Sequence, residues 1–287
     1  CSTKLDPVAG LAEEFTRRLR GSYIVVSDQL RAETEACGLT LRDDVATIPN
    51  WITGRRPPER TSFYRGGHLR IMAAGQVARF KGTHILIEAA RKLRDAGHHD
   101  FSVHIYGNVL ERSFVHLIPH LDLSEHVILK GLLPQDQLLD AYARYDLLAF
   151  PTQEREPFGL VPLEAAARGC VPLMTRRCGV AEWLVHGLHC IKADRTPEAF
   201  ARACADVLEG RIDLEPIARR DKEWWPEWEA RLGAEGARAD EWRFPSTLPL
   251  TLRQIAKGAG LDPRELTART LHKPGAPSPG LRGLSAC

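Results

Sequence analysis

Two acids separated by seven residues, Glu156 and Glu164, mark the stretch EREPFGLVPLEAAARG at 154–169. Glu156 falls in a Pro-containing loop. Glu164 falls between Leu163 and Ala165, in an apolar segment that reads as a helix starting near Phe158 or Gly159. A carboxylate about a turn and a half into such a helix is costly unless it has hydrogen-bond partners. Two sets of partners are compatible with the sequence. The vicinal hydroxyls of a sugar can donate two hydrogen bonds to one carboxylate. Alternatively, Glu164 faces solvent or pairs with Arg168 at i,i+4, an acid-before-base order that suits a helix.

A second stretch, AAGQVARFKG at 73–82, ends an apolar run at Gly75, carries Gln76, Arg79 and Lys81 through a short loop, and opens a helix at Gly82. Cations beside a helix N-terminus suit an anion such as a diphosphate. Neither a P-loop nor a G-x-G-x-x-G pattern is present. Taken alone, the loop reads more simply as a solvated turn. No metal is expected. His116 and His120 in HLIPH are four apart, but the segment lacks the Glu of H-E-x-x-H and contains Pro119; His186, His189 and Cys190 in HGLHC read as ordinary turn residues.

These loops must be positioned by something, and the chain between 21 and 210 supplies it. SYIVVSD is followed by LRAETEACGL, and VATIPNWI by LRIMAAGQV and the helix THILIEAARKLRDAG, where Ile85, Ala89 and Leu93 recur at helical spacing. The unit repeats through FSVHIYG and a helix around VHLIPHL, VILKGLL and QDQLLDAYARY, DLLAFPT and GLVPLEAAARG, CVPLMTR and a helix VAEWLVHG, LHCIKAD and PEAFARACADVLEG. Such β-α alternation predicts an α/β fold, a Rossmann-like doubly wound parallel sheet covered by helices on both faces. In that fold ligands bind at the C-terminal ends of the strands, where both stretches lie.

The chain has 287 residues, 44% hydrophobic and 26% charged, with a net charge of +2. Length gives a prior of about two domains, and the charge is far from what non-specific nucleic-acid binding requires. Seven cysteines without a C-x-x-C pair point to reduced thiols in the cytosol. No run is long enough for a membrane-spanning helix, and none reads as a signal peptide. A first residue of Cys leads to the expectation that the start of the protein is missing; a processed lipoprotein cysteine is the alternative. Beyond 210, EWWPEWEARL reads as helix, LTLRQIAKGAGLDPRELTARTLH at 250–272 as two short helices, and HKPGAPSPGLRG as a disordered tail.

Together the segments resemble the family-4 retaining glycosyltransferases, whose GT-B fold has two facing Rossmann-like domains. EPFGLVPLEAAARG matches the E-x7-E motif of that family almost throughout. VVSDQLRAE, VATIPNWI, GQVARFKG, VILKGLL and CGVAEWLVHGLHCIKA resemble further family segments in the right order, over about 22–208. The resemblance implies a remnant of the N-terminal acceptor domain with a linker at 1–60, a nucleotide-sugar-binding domain at 61–210, and a helical extension with a disordered tail at 211–287.

It also implies roles. Lys81 resembles the lysine that neutralises the donor diphosphate, with Gly75 in the same loop. Glu156 is similar to the Glu beside the donor sugar. Phe158, Gly159 and Leu160 resemble the segment whose amides hold phosphate or sugar. Glu164 resembles the Glu that binds the ribose hydroxyls, and Gly131 with Leu132 the segment beside the base. The expected activity is transfer of a sugar from a nucleoside diphosphate to a saccharide or lipid-linked acceptor with retention of configuration, without a metal or other cofactor. The expected place is the cytoplasm, at the inner face of a membrane that the N-terminal domain touches. The sequence departs from the family at Gln76, where Arg is usual, so Arg79 is expected to supply the missing charge. It departs again at Cys178 and Cys190, where Gly is usual, and in lacking most of the N-terminal domain. The alternatives are a nucleotide-sugar-binding module without turnover, and a regulator that binds DNA through 250–272. Nucleic acid is not the expected partner.

Overall fold

Parallel strands buried on both faces need a near-continuous apolar side-chain set, and the short Val/Leu/Ile runs supply it. The computed structural model describes residues 23–36, 45–47, 49–50, 62–152 and 156–219. Within them, β1 (Tyr23–Val25) pairs in parallel with β2 (Val45–Thr47), and helix α1 (Asp28–Ala36) connects the two strands in sequence. The main sheet comprises β3 (Leu69–Ala74), β4 (Phe101–Tyr106), β5 (Val127–Gly131), β6 (Leu147–Phe150), β7 (Val171–Thr175) and β8 (Ile191–Ala193). Its order is β5-β4-β3-β6-β7-β8, parallel throughout, with Ile71 opposite Leu147 where the two halves meet.

The expected doubly wound sheet is therefore present. From β3 the chain winds outward to β5, then returns to the centre at β6 and winds the other way. The gap between β3 and β6 is the topological switch point. The helices that follow the strands are α2 (Thr83–Asp95), α3 (Ser113–His120), α4 (Gln135–Tyr142), α5 (Val161–Ala166) and α6 (Pro197–Leu208). Ile85, Ala89 and Leu93 of α2, Phe114 and Ile118 of α3, and Phe200 and Cys204 of α6 share one core with Ile71, Val103, Leu147 and Leu173. Tyr142 of α4 and Ala165 of α5 pack with Met72 and Leu148 on the opposite face.

At the N-terminal end of the switch point, Asp146 locks β3 to β6. Its buried carboxylate accepts from Arg70 Nε at 3.0 Å, Arg70 Nη2 at 2.9 Å and the Arg70 main-chain N–H at 3.0 Å.

Three local expectations are corrected. VAEWLVHG forms only a 3-10 turn, Gly179–Glu182, whose first two N–H groups, on Gly179 and Val180, bond to a neighbouring loop. The helix after Glu156 starts at Val161, two or three residues later than expected, so Glu164 lies in its first turn. Arg79–Lys81 is a 3-10 turn and not an open loop. The segment at 250–272, the Trp-rich stretch and the tail lie outside the described residues, as do residues 153–155; residues 214–219 are helical. Among the described residues no helix is long and apolar enough to cross a membrane.

Candidate functional site

At the C-terminal end of the switch point lies a cleft lined by Ala74, Gly75, Gln76, Lys81, Thr83 and Phe150 among others. Its position follows from the winding reversal, since the helices after β3 and β6 leave in opposite directions and open a crevice between them. The turn that carries Lys81 is fixed from both sides. Ala78 N–H donates to the Thr83 hydroxyl at 3.0 Å, and Gly82, with φ of 79°, presses on the end of β6. A Cβ at Gly82 would stand 1.8 Å from the Pro151 carbonyl oxygen, so no larger residue fits there.

Lys81 Nζ donates to Glu156 Oε2 at 2.6 Å, with the two side chains 34% and 15% exposed. The structure thus brings together the lysine of the second stretch and the first acid of the first, an ion pair across the mouth of the cleft. Gly159 packs against the Phe150 ring and the Glu156 side chain, at 3.1 and 3.3 Å from where a Cβ would be. Phe158 is buried, and Leu160 is partly exposed at the start of α5.

Glu164 is not part of this pair. The residue is 8% exposed, and its carboxylate accepts from Gln135 Nε2 at 2.9 Å and from the Tyr142 hydroxyl at 3.1 Å, both on α4. Neither solvent nor the Arg168 guanidinium is its partner: Arg168 Nη1 donates to the Glu164 main-chain carbonyl instead. Burial, reinforced by the adjacent carboxylate, pushes the Tyr142 phenol far above its ordinary range, so it remains a donor. Sequence reasoning missed both α4 residues. Gln135 and Tyr142 lie on one helix seven residues apart, a spacing that places them on one face, but nothing local ties them to Glu164.

Gly75, Gly107 and Gly131 end three adjacent strands and bond along the rim: Gly75 N–H to the Tyr106 carbonyl at 2.9 Å, Gly107 N–H to the Gly131 carbonyl at 2.8 Å. Leu132 follows, 68% exposed, and three residues later Gln135 reaches Glu164. The rim from Gly131 to α4 is thereby coupled to the second acid. Gln76 and Arg79 are exposed. Arg79 is not among the residues lining the cleft; its main-chain N–H donates to Glu111 Oε1 at 2.5 Å. His186 and His189 each use Nδ1 to accept a main-chain N–H, from Lys192 at 2.9 Å and Val185 at 3.1 Å. Among the described residues no three metal-ligating side chains cluster.

A cleft whose lining cation, Lys81, is paired with a partly buried acid offers a ligand both a positive charge and a hydrogen-bond acceptor. Comparison with known proteins supplies the chemical class. The family described as "Glycosyl transferases group 1" matches residues 62–224. The glycogen synthase of Mycobacterium tuberculosis is 30% identical over 72% of this chain and 50% of its own length. The D-inositol 3-phosphate glycosyltransferase of Corynebacterium urealyticum is 31% identical over 47% of this chain and 33% of its own. The chain thus spans a third to a half of the length of these curated relatives. Anabaena Alr3699/HepE, solved in complex with UDP, has the same fold, with a TM-score of 0.67 at 16% identity over 84% of this chain and 69% of that one.

Proposed function

Since this chain belongs to the group 1 glycosyl transferases, we propose that it transfers a sugar from a nucleoside diphosphate to an acceptor hydroxyl with retention of anomeric configuration, in the manner of family 4. The observation that carries the reading is the Lys81–Glu156 pair, 2.6 Å apart at the mouth of the switch-point cleft. A nucleoside diphosphate brings more negative charge to Lys81 than one carboxylate does, so it competes for the ammonium and leaves Glu156 free for the sugar hydroxyls.

The bond from the sugar to the diphosphate then breaks with its electron pair on the diphosphate oxygen. Lys81 and the main-chain amides of 158–160 oppose the charge that develops there, the kind of preorganised stabilisation that lowers such barriers most. The acceptor oxygen forms the new bond to the same face of the sugar, and its proton passes to the departing diphosphate. Glu164, steadied by Tyr142 and Gln135, takes the ribose hydroxyls, and the rim at Gly131 and Leu132 takes the base. The reading assigns charge stabilisation to Lys81 and amides and uses no metal.

Alr3699/HepE with bound UDP supports a uridine donor. A saccharide or lipid-linked acceptor and a cytoplasmic reaction, at the inner face of a membrane when the acceptor is a lipid, complete the proposal. Calorimetric titration with UDP and GDP tests it: binding of one of them by the wild-type chain, lost in Glu164→Ala, supports the site. Equal binding by that variant removes Glu164 from it.

A further inference from the structure

Three successive carbonyls of the loop that carries Glu156 are all held, and by two separate segments. Gly179 N–H donates to the Glu156 carbonyl at 3.1 Å, and Val180 N–H to the Phe158 carbonyl at 2.8 Å. The carbonyl between them, on Pro157, accepts from the Ser27 hydroxyl at 2.6 Å, from a residue 130 positions away. The fit at this junction is tight: a Cβ on Gly179 would stand 2.0 Å from the Pro157 oxygen.

Ser27 is fully buried and uses its hydroxyl in both directions. While it donates to Pro157, its Oγ accepts from Leu30 N–H at 3.1 Å, which makes it the N-cap of α1. The next two free donors of that helix, Asp28 N–H and Gln29 N–H, go to the two oxygens of Glu182 at 3.0 and 2.5 Å. Arg31 N–H closes the first helical bond to the Ser27 carbonyl at 3.2 Å. The N–H groups of Asp28, Gln29 and Leu30, three orphan donors of the helix N-terminus, are thus all satisfied by side chains. Two of them are satisfied by a residue of the same 3-10 turn that holds the Glu156 loop. Lys192 Nζ braces that turn through the Ala181 carbonyl at 2.7 Å.

Segments 27–29, 156–158 and 179–182 therefore form a ring in which each is hydrogen-bonded to the other two. We infer that Ser27 and Glu182 are positioning residues for Glu156, tying the β1–α1 segment to the loop at the cleft mouth so that displacement of one moves the other. The inference rests on the reading that Glu156 works beside the donor sugar. A helix cap alone would need only acceptors at 27 and 182. The Ser27 O–H aimed at Pro157 is what a cap does not require.

The test combines amide hydrogen exchange with cleavage of UDP-glucose by the full chain. In Ser27→Ala and Glu182→Ala, exchange at the Gly179 and Val180 amides accelerates by about tenfold or more, since the ring has lost a side. The kcat for UDP-glucose falls by about tenfold with KM within about twofold, as expected of a misplaced group and not of lost binding. Ser27→Thr, which keeps the hydroxyl, restores both. Faster exchange confined to residues 28–30, with Gly179, Val180 and kcat unmoved, overturns the inference and leaves a simple cap. A wild-type chain that does not bind UDP overturns the transferase reading instead, and the exchange result still decides the ring.

Discussion

Lys81 and Glu156 meet at 2.6 Å although they follow different strands, one after β3 and the other after β6. The two halves of the sheet thus each contribute one charge to the crevice between them. In the absence of ligand the charges satisfy each other, which keeps a part-buried lysine and a part-buried acid from being left unpaired. On the proposed reading, an incoming diphosphate displaces Glu156 from Lys81.

That competition gives the first prediction. Glu156→Gln removes the rival anion while keeping its shape, so UDP binds more tightly, by about 1 kcal/mol or roughly fivefold for a pair still open to solvent. Sugar transfer falls sharply in the same variant. Titration together with a turnover assay separates the two effects; weaker UDP binding by Glu156→Gln argues against the competition.

Tyr142→Phe deletes a buried donor to Glu164 with almost no change in shape. The chain loses about 1–2 kcal/mol of stability in urea denaturation, the cost of leaving a buried acceptor short of one partner. UDP affinity falls with it. Gln135→Ala, nearer the surface, has a smaller effect on stability.

Asp146→Ala leaves Arg70 without the acid that ties β3 to β6. Because the Arg70 side chain is 46% exposed, water recovers part of the loss, and the expected destabilisation is about 2 kcal/mol. The midpoint of urea unfolding reports it. UDP affinity measured well below that midpoint stays near wild type, since the pair lies at the opposite end of the strands from the cleft.

Burial disfavours the thiolate at Cys178, raising it from 9.0 to about 11, and at Cys204, raising it to about 12. Unfolding lets both thiols ionise near their ordinary value. Their contribution to stability is therefore whole below about pH 9 and is lost as pH rises through the folded values. The urea midpoint should fall between pH 8 and pH 10.5. Iodoacetamide at pH 8 should label both residues far more slowly in the folded chain than in urea, as mass spectrometry can follow.

Much of this was legible in the sequence for a physical reason. Buried parallel strands must be apolar on both faces, so the runs ending at Ala74, Phe150 and Thr175 announce themselves, and the β-α repeat fixes the sheet. Lys81 and Glu156 lie in the segments after two such runs, which places both at the C-terminal strand ends, but a role for either came only from the family resemblance, since the Lys81 loop alone reads as a solvated turn. The partners of Glu164 were not: Gln135 and Tyr142 reach it from another helix, and side-chain pairing between elements leaves no local periodicity. The fate of VAEWLVHG was hidden for a similar reason. Its pattern suits a helix, but the donors of Gly179 and Val180 go to a loop more than twenty residues earlier, and Glu182 caps a helix near the other end of the described chain.

The central claim is that Lys81 meets a diphosphate while Glu164 meets the sugar of the nucleoside. Titration of UDP and UMP into wild type, Lys81→Ala and Glu164→Ala tests it most directly. The account predicts that wild type prefers UDP, that Lys81→Ala abolishes this preference with UMP affinity nearly unchanged, and that Glu164→Ala weakens both nucleotides alike. A Lys81→Ala chain that still prefers UDP by the wild-type margin would contradict it.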